Sequence, residues 1–323
     1  MNYLINKTDT YHKKELKSLG WELTVCNALY KEDTVLRRIL HQDESFGRLL
    51  FRHLSRFIPM DRLTHVLEIG GGYGYLMRDF LEMKGSIKPT MLDISPYLLN
   101  KQKETLKGYE VSFIQMDFLD VEDYFLRDFD LAVANENLGD FPTVVGLGHD
   151  VFGLSLSDIE DPILQKILYF FKRYGLPLPE CNPFNFNIGA IEAIEKLCAS
   201  GVPYIYLGEH SCEASAPEAL KHLIKIMPSG NPERISLMGH DEYSIKFSYL
   251  ENIGRFFGYK VIRGVFGDFI TIKWDEKIKY ILATRGRYGD EDEIICQFVE
   301  DLYKYEFLIL IRKDIKRRTI KGV

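Results

Sequence analysis

The chain has 323 residues, enough for one large α/β domain or for one domain with a substantial insertion. Hydrophobic residues make up 46% and charged residues 27%, which excludes disordered and collagen-like chains. A formal net charge of −6 gives no general pull toward nucleic acid phosphates, and no apolar run approaches the roughly 20 residues of a membrane span.

Five cysteines are scattered with no CxxC pair, so they read as reduced, mostly buried thiols. Met1 to Lys14 has neither an apolar signal core nor an arginine, and a cytoplasmic protein is expected. In chain order, residues 35 to 58 carry an apolar stripe at helical spacing, interrupted near Asp43 to Ser45 and ending before Pro59. Short buried strands follow at Val66–Ile69, Thr90–Ile94, Val111–Met116, Phe129–Ala134 and Tyr204–Leu207. Helices are expected at Tyr73–Lys84, Pro96–Leu106 and Ile188–Ala199. This alternation predicts βαβ units in a mainly parallel sheet with helices on both faces. Residues 145–187 exceed a normal crossover and read as an inserted, largely helical cap. A helix over about 247–257, a strand at Lys260–Val265 and two further strands at Phe269–Trp274 and Lys279–Thr284 come next. A final helix over 286–323 begins in acid at Asp290–Glu293 and ends in base, which suits the helix dipole. Its basic end at 312–321 is read as a solvated face rather than a nucleic-acid tail.

The stretch Val66-Leu67-Glu68-Ile69-Gly70-Gly71-Gly72-Tyr73-Gly74 carries the chemistry. It is a buried strand, a carboxylate, a glycine turn and the start of a helix, whose first N–H groups are unpaired. Dinucleotide binders want G-x-G-x-x-G, but the third position is Tyr75 or Met77 in either register. The pattern present is acidic-x-G-x-G-x-G. It resembles motif I of the class I S-adenosylmethionine-dependent methyltransferases. That resemblance implies a Rossmann-like class I fold, with a seven-stranded, mainly parallel sheet. It also implies S-adenosylmethionine as cofactor, the glycines Gly70, Gly71, Gly72 and Gly74 under its methionine and ribose, and Glu68 at the aminoacyl end. Asp93, with Ile94 after it, closes the second strand where a carboxylate accepts from a ribose diol. Asp117 closes the third strand where the family places an acceptor for the adenine amino group, with Phe118 beside the ring.

The fourth strand ends in Asn135-Glu136-Asn137-Leu138-Gly139-Asp140-Phe141-Pro142, beyond the carboxyl end of the sheet where ligands lie. This segment resembles the N-E-F-F-D-A-L-P stretch of the MidA family, which includes a mitochondrial methyltransferase acting on an arginine of a complex I subunit. Asn135, Glu136 and Pro142 coincide. Gly239 to Ile245 resembles the same family's late histidine-containing strand. The chain departs from the family at Gly139 and at Leu207-Gly208-Glu209-His210, both on the substrate side.

Glu136 is the candidate clamp for a guanidinium, with Glu209 or Asp140 as a second carboxylate; the alternative is that it only fixes the strand-end loop or caps the next helix. Asn135 and Glu136 are therefore candidate catalytic residues, with His240 or His210 as proton acceptors. No two His or Cys share ligand spacing, so no metal is expected. The expected domains are a helical region at 1–60, a cofactor-binding domain at 61–144 and 188–285, the cap at 145–187 covering the acceptor, and the helix at 286–323. The expected acceptor is a protein side chain, most plausibly arginine. A small-molecule acceptor under an aromatic cap (Tyr169, Phe170, Phe171, Phe184, Phe186) is one rival, and a non-catalytic cofactor-binding scaffold is another. The Phe307–Ile311 run is either a partner surface, as in a homodimer, or part of the protein's own core.

Overall fold

The computed structural model describes residues 3–18, 24–154 and 159–313. In chain order the strands are β1 (Leu4–Asn6), β2 (His65–Ile69), β3 (Lys88–Asp93), β4 (Ser112–Gln115), β5 (Leu131–Asn135), β6 (Thr143–Leu147), β7 (Phe184–Phe186), β8 (Tyr204–His210), β9 (Arg234–Ser236), β10 (Asp241–Tyr243), β11 (Tyr259–Val265) and β12 (Tyr305–Arg312). The helices are α1 (Val25–Ala28), α2 (Val35–Arg38), α3 (Phe46–Ser55), α4 (Tyr75–Met83), α5 (Pro96–Thr105), α6 (Asp123–Leu126), α7 (Pro162–Tyr174), α8 (Ile188–Ser200), α9 (Phe247–Phe256), α10 (Glu276–Thr284) and α11 (Asp290–Lys304).

Seven strands form one sheet in the order β11-β12-β8-β5-β2-β3-β4. The run from β4 to β8 is parallel, and β12 lies antiparallel between β8 and β11. Alternation along each strand feeds two cores. Val66, Met91 and Val133 face the layer built by α3, α4, α5, α10 and α11. Leu67, Leu92, Ala132 and Ala134 face α7, α8 and α9. This is the Rossmann-like class I methyltransferase architecture, with a mostly parallel sheet covered on both faces.

Three expectations need correction. Lys279–Thr284 is not a strand: Glu276–Thr284 is a helix, N-capped by Asp275, which accepts the Ile278 N–H at 2.9 Å. Ile278, Ile281 and Leu282 recur at three- and four-residue spacing and are buried, a helical period masked by a short window. Phe269–Trp274 contributes only a bridge from Ile272 to Leu40. The last helix stops at Lys304, and Tyr305–Arg312 is a strand in the interior of the sheet. Phe307 to Leu310 are at most 2% exposed, so this run is core and not a partner surface. The basic stretch expected to end that helix falls largely on 314–323, outside the described residues.

The insertion also sits elsewhere than expected. β6 pairs with β1 and β7 in a small antiparallel sheet, and α7 packs on the sheet's outer layer. Phe152, Phe171, Phe184, Phe186 and Tyr249 pack together there, with ring centroids 4.8 Å apart for Phe152–Phe171 and 5.2 Å for Phe171–Phe186. These aromatics are the core of that layer.

Candidate active site

At the carboxyl end of β2 the chain must turn from strand to helix within five residues. Gly70, Gly72 and Gly74 all take positive φ (59°, 51° and 80°), the region that suits glycine. A Cβ on Gly70 would lie 2.3 Å from Asn137 Nδ2, and Asn137 in turn donates to the Ile69 carbonyl. The loop after β5 therefore braces the glycine turn.

A cavity of about 330 Å³ opens over this turn. Its walls include Glu68, Gly70, Gly71, Gly72, Asp93, Ile94, Asp117, Phe118, Asn135 and Glu136. Gly74 lies behind them as the N-cap of α4. Glu68 is 3% exposed, and its Oε2 has no hydrogen-bond partner. Burial raises its pKa well above the carboxylate range, and the nearby Asp93 and Asp79 add to the rise. Asp93 accepts from the Ser95 N–H (2.8 Å) and from Gln102 Nε2 (2.8 Å); burial raises its pKa to about 6. Asp117 accepts the Leu119 N–H at 3.0 Å, and Phe118 is buried beside Phe141.

Glu136 takes positive φ (55°), a strained setting for a non-glycine residue. Its carboxylate accepts the backbone N–H of Val25 at 2.7 Å and of Cys26 at 3.1 Å, and the Asn135 amide at 2.9 Å. It thus caps α1, far away in sequence, and burial raises its pKa to about 7. The cavity's cover comes from this N-terminal segment: Lys7, Thr8, Asp9, His12, Thr24, Cys26 and Asn27 line it. Among the described residues, none from 145–187 lines this cavity or the second one beside it, so the cap expected over the acceptor covers neither. The covering residues were missed because no local pattern ties them to the glycine turn. Only the Thr24 cap of α1, which accepts the Asn27 N–H at 3.1 Å, leaves a readable signal.

A second cavity of about 530 Å³ shares Thr24 and Glu136 with the first. Glu209, His210, Glu233, Glu242 and Asp301 lie along it. Glu209 is buried, accepts the His210 N–H at 2.8 Å and the Gly139 N–H at 3.2 Å, and has its pKa raised by burial to about 8. Burial, aided by Lys304, lowers the His210 pKa to about 3, leaving a neutral ring stacked on Tyr305 and a weak proton acceptor. His240 lines neither cavity; it sits in the turn before β10, stacked on Tyr11 at 4.2 Å.

Residues 66–145 match the family model of a methyltransferase domain. No curated protein matches the chain. Among solved structures, an uncharacterised ACR superfamily protein from Burkholderia thailandensis is similar at 12% identity and a TM-score of 0.55, over 96% of this chain and 87% of that one. A second Burkholderia thailandensis member of that superfamily, bound to S-adenosyl-homocysteine, shows 12% identity and a TM-score of 0.49 over 83% and 76%. A Haemonchus contortus phosphoethanolamine N-methyltransferase shows 12% identity and a TM-score of 0.47 over 97% and 68%. The fold is that of the class I S-adenosylmethionine-dependent methyltransferases, and the methyltransferase-domain match over residues 66–145 falls on its glycine turn and strand-end carboxylates. The methyltransferase cavity fits that cofactor on its own terms. The orphaned Glu68 oxygen offers an acceptor to an ammonium, the glycines leave room for the ligand's close approach, and Asp93 holds lone pairs for a diol. No helix among the described residues is long and apolar enough to cross a membrane.

Proposed function

We propose that the chain methylates a protein side chain, an arginine guanidinium, with the donor in the first cavity and the acceptor entering through the second. The observation that carries this reading is the pair Glu136 and Glu209. Glu209 is buried and Glu136 half-buried, both line the second cavity, and among the described residues neither is ion-paired; their hydrogen-bond partners are neutral N–H groups. Desolvation raises the pKa of both, the Glu136 charge adds to the rise at Glu209, and an incoming guanidinium relieves that cost. A carboxylate fork fixes the guanidinium plane and concentrates charge away from the attacking nitrogen.

When bound, the cofactor supplies a methyl group on a sulfonium, and the displacement needs donor and acceptor in line. Glu136, at the junction of the cavities, orients the acceptor nitrogen. The proton that the acceptor nitrogen sheds on methylation would pass to whichever of Glu136 and Glu209 is ionised. Glu209, with its pKa raised by burial to about 8, takes that proton only in its ionised form, whose share grows as pH rises toward 8.

The test is methyl-labelled S-adenosylmethionine with clarified lysate of the source organism. Label should appear in a protein band, release methylarginine on acid hydrolysis, and drop more than about tenfold with Glu209→Gln. Label confined to small metabolites would sink the protein-arginine reading.

A further inference from the structure

At the edge of the first cavity, three side chains from distant segments converge. His12 comes from the turn Tyr11–Glu15, Asp140 from the loop after β5, and His240 from the turn before β10. One ligating atom from each lies within 4.8 Å of the other two. His12 Nε2 is 2.7 Å from Asp140 Oδ1, and His240 Nε2 is 3.5 Å from the same oxygen. His240 Nε2 is also 3.3 Å from Glu242 Oε1. The His240 side chain is 3% exposed and that of His12 is 9%.

Hydrogen bonding alone accounts poorly for this arrangement. A single imidazole nitrogen carries at most one proton, yet two carboxylates converge on His240 Nε2 at similar distances. Metal bonds of about 2.0–2.1 Å in a tetrahedron put neighbouring donor atoms roughly 3.3 Å apart. The His240 separations match that edge; the His12–Asp140 pair needs to open by about half an ångström to match it. Tyr11 holds both rings: it stacks on His240 at 4.2 Å and meets His12 edge-on at 5.2 Å. Two imidazoles with carboxylates suit a borderline divalent ion rather than calcium or magnesium.

We propose that His12, Asp140 and His240 form a three-residue site for a divalent transition cation of the zinc class, with Glu242 beside His240 at its margin. His12 and Asp140 line the cofactor cavity, and Glu242 lines the second. The ion ties the N-terminal cover to the sheet's loops at the junction of the two cavities. Nothing in this proposal depends on the identity of the acceptor.

The full chain, stripped with chelator, is titrated with zinc chloride by calorimetry, and separately with cobalt(II) followed in the visible. One equivalent of zinc is expected. Tetrahedral cobalt bands should be about tenfold more intense than those of the aqueous ion. His240→Gln and Asp140→Asn, each checked for cooperative thermal unfolding, should weaken zinc binding by more than about 100-fold, beyond the range of outer-shell losses. Zinc should also slow proteolysis within residues 7–28. Absence of a stoichiometric site, an aqueous-type cobalt spectrum, or unchanged affinity in both variants overturns the proposal. Cofactor calorimetry without metal keeps the two readings apart: zinc binding with no S-adenosylmethionine binding would defeat the methyl-transfer reading alone.

Discussion

A carboxylate at the end of a strand ordinarily caps the next helix, and Asp93 performs that task through Ser95 while keeping lone pairs toward the cavity. Its raised pKa gives opposite signs to stability and to binding. Between about pH 4 and 6 the unfolded chain ionises Asp93 while the folded chain keeps it protonated, so its contribution to stability falls as pH rises. A ribose diol donates to the ionised form, so S-adenosylmethionine affinity should rise as pH passes through about 6. Calorimetry from pH 5 to 8 checks this. Asp93→Ala should flatten the profile and weaken binding by about 1.5–3 kcal/mol for the lost charge-assisted bonds. Glu209 carries the matching expectation for the acceptor. An arginine peptide should bind more tightly as pH rises from 6 through about 8, and Glu209→Gln should remove that rise; an unchanged pH profile in the variant would take Glu209 out of the acceptor site. Glu136→Gln is harder to read, because it also replaces an oxygen that accepts from Val25 or Cys26 with a donor amide. Turnover should fall and the α1 segment should loosen together.

At the scale of elements, the cover over the cavity is a few short pieces held by polar contacts. α1 has four residues, too few to persist alone, and depends on Thr24 and Glu136 at its N-terminus. The Tyr30 ring stacks on Tyr75 of α4 at 3.4 Å, and Arg78 donates to the Tyr30 hydroxyl at 2.6 Å. Thr24→Ala should cost about 0.5–2 kcal/mol locally, seen as faster amide exchange over residues 24–30 with global stability little changed. If exchange there is unaltered, the cap does not hold the cover. The elements of the cofactor half were legible because each carried its own period. The Val66–Ile69 strand, the glycine turn, and the helices at 75–83 and 96–105 appear within two residues of expectation at each end. The cover was not legible, since Glu136 and Val25 lie 111 residues apart and neither bears a local mark of the other.

For the whole molecule, the decisive element is β12. It bonds along β8 on one side and β11 on the other, over seven residue pairs with each. Chain ends after Lys304 should therefore be fatal to folding: a truncation lacking 305–323 separates β11 from the sheet and bares Leu207, Ile205 and Phe266. Loss of cooperative thermal unfolding by circular dichroism is the expected result, and a variant melting like the full chain would contradict the sheet order.

Local chemistry alone was enough for the parallel half of the sheet, the glycine turn and the strand-end carboxylates, because hydrophobic period, turn residues and caps act over a few residues. The same local reading took Tyr305–Arg312 for helix and 145–187 for a lid, since a short apolar run does not reveal which neighbour will bury it. Tertiary packing decided those points. It set β12 inside the sheet, turned the aromatic insertion into a core layer, and brought His12, Asp140 and His240 together. Burial in a shared interior also decided the protonation of Glu136 and Glu209, because desolvation depends on everything packed around a group and not on its neighbours in the chain.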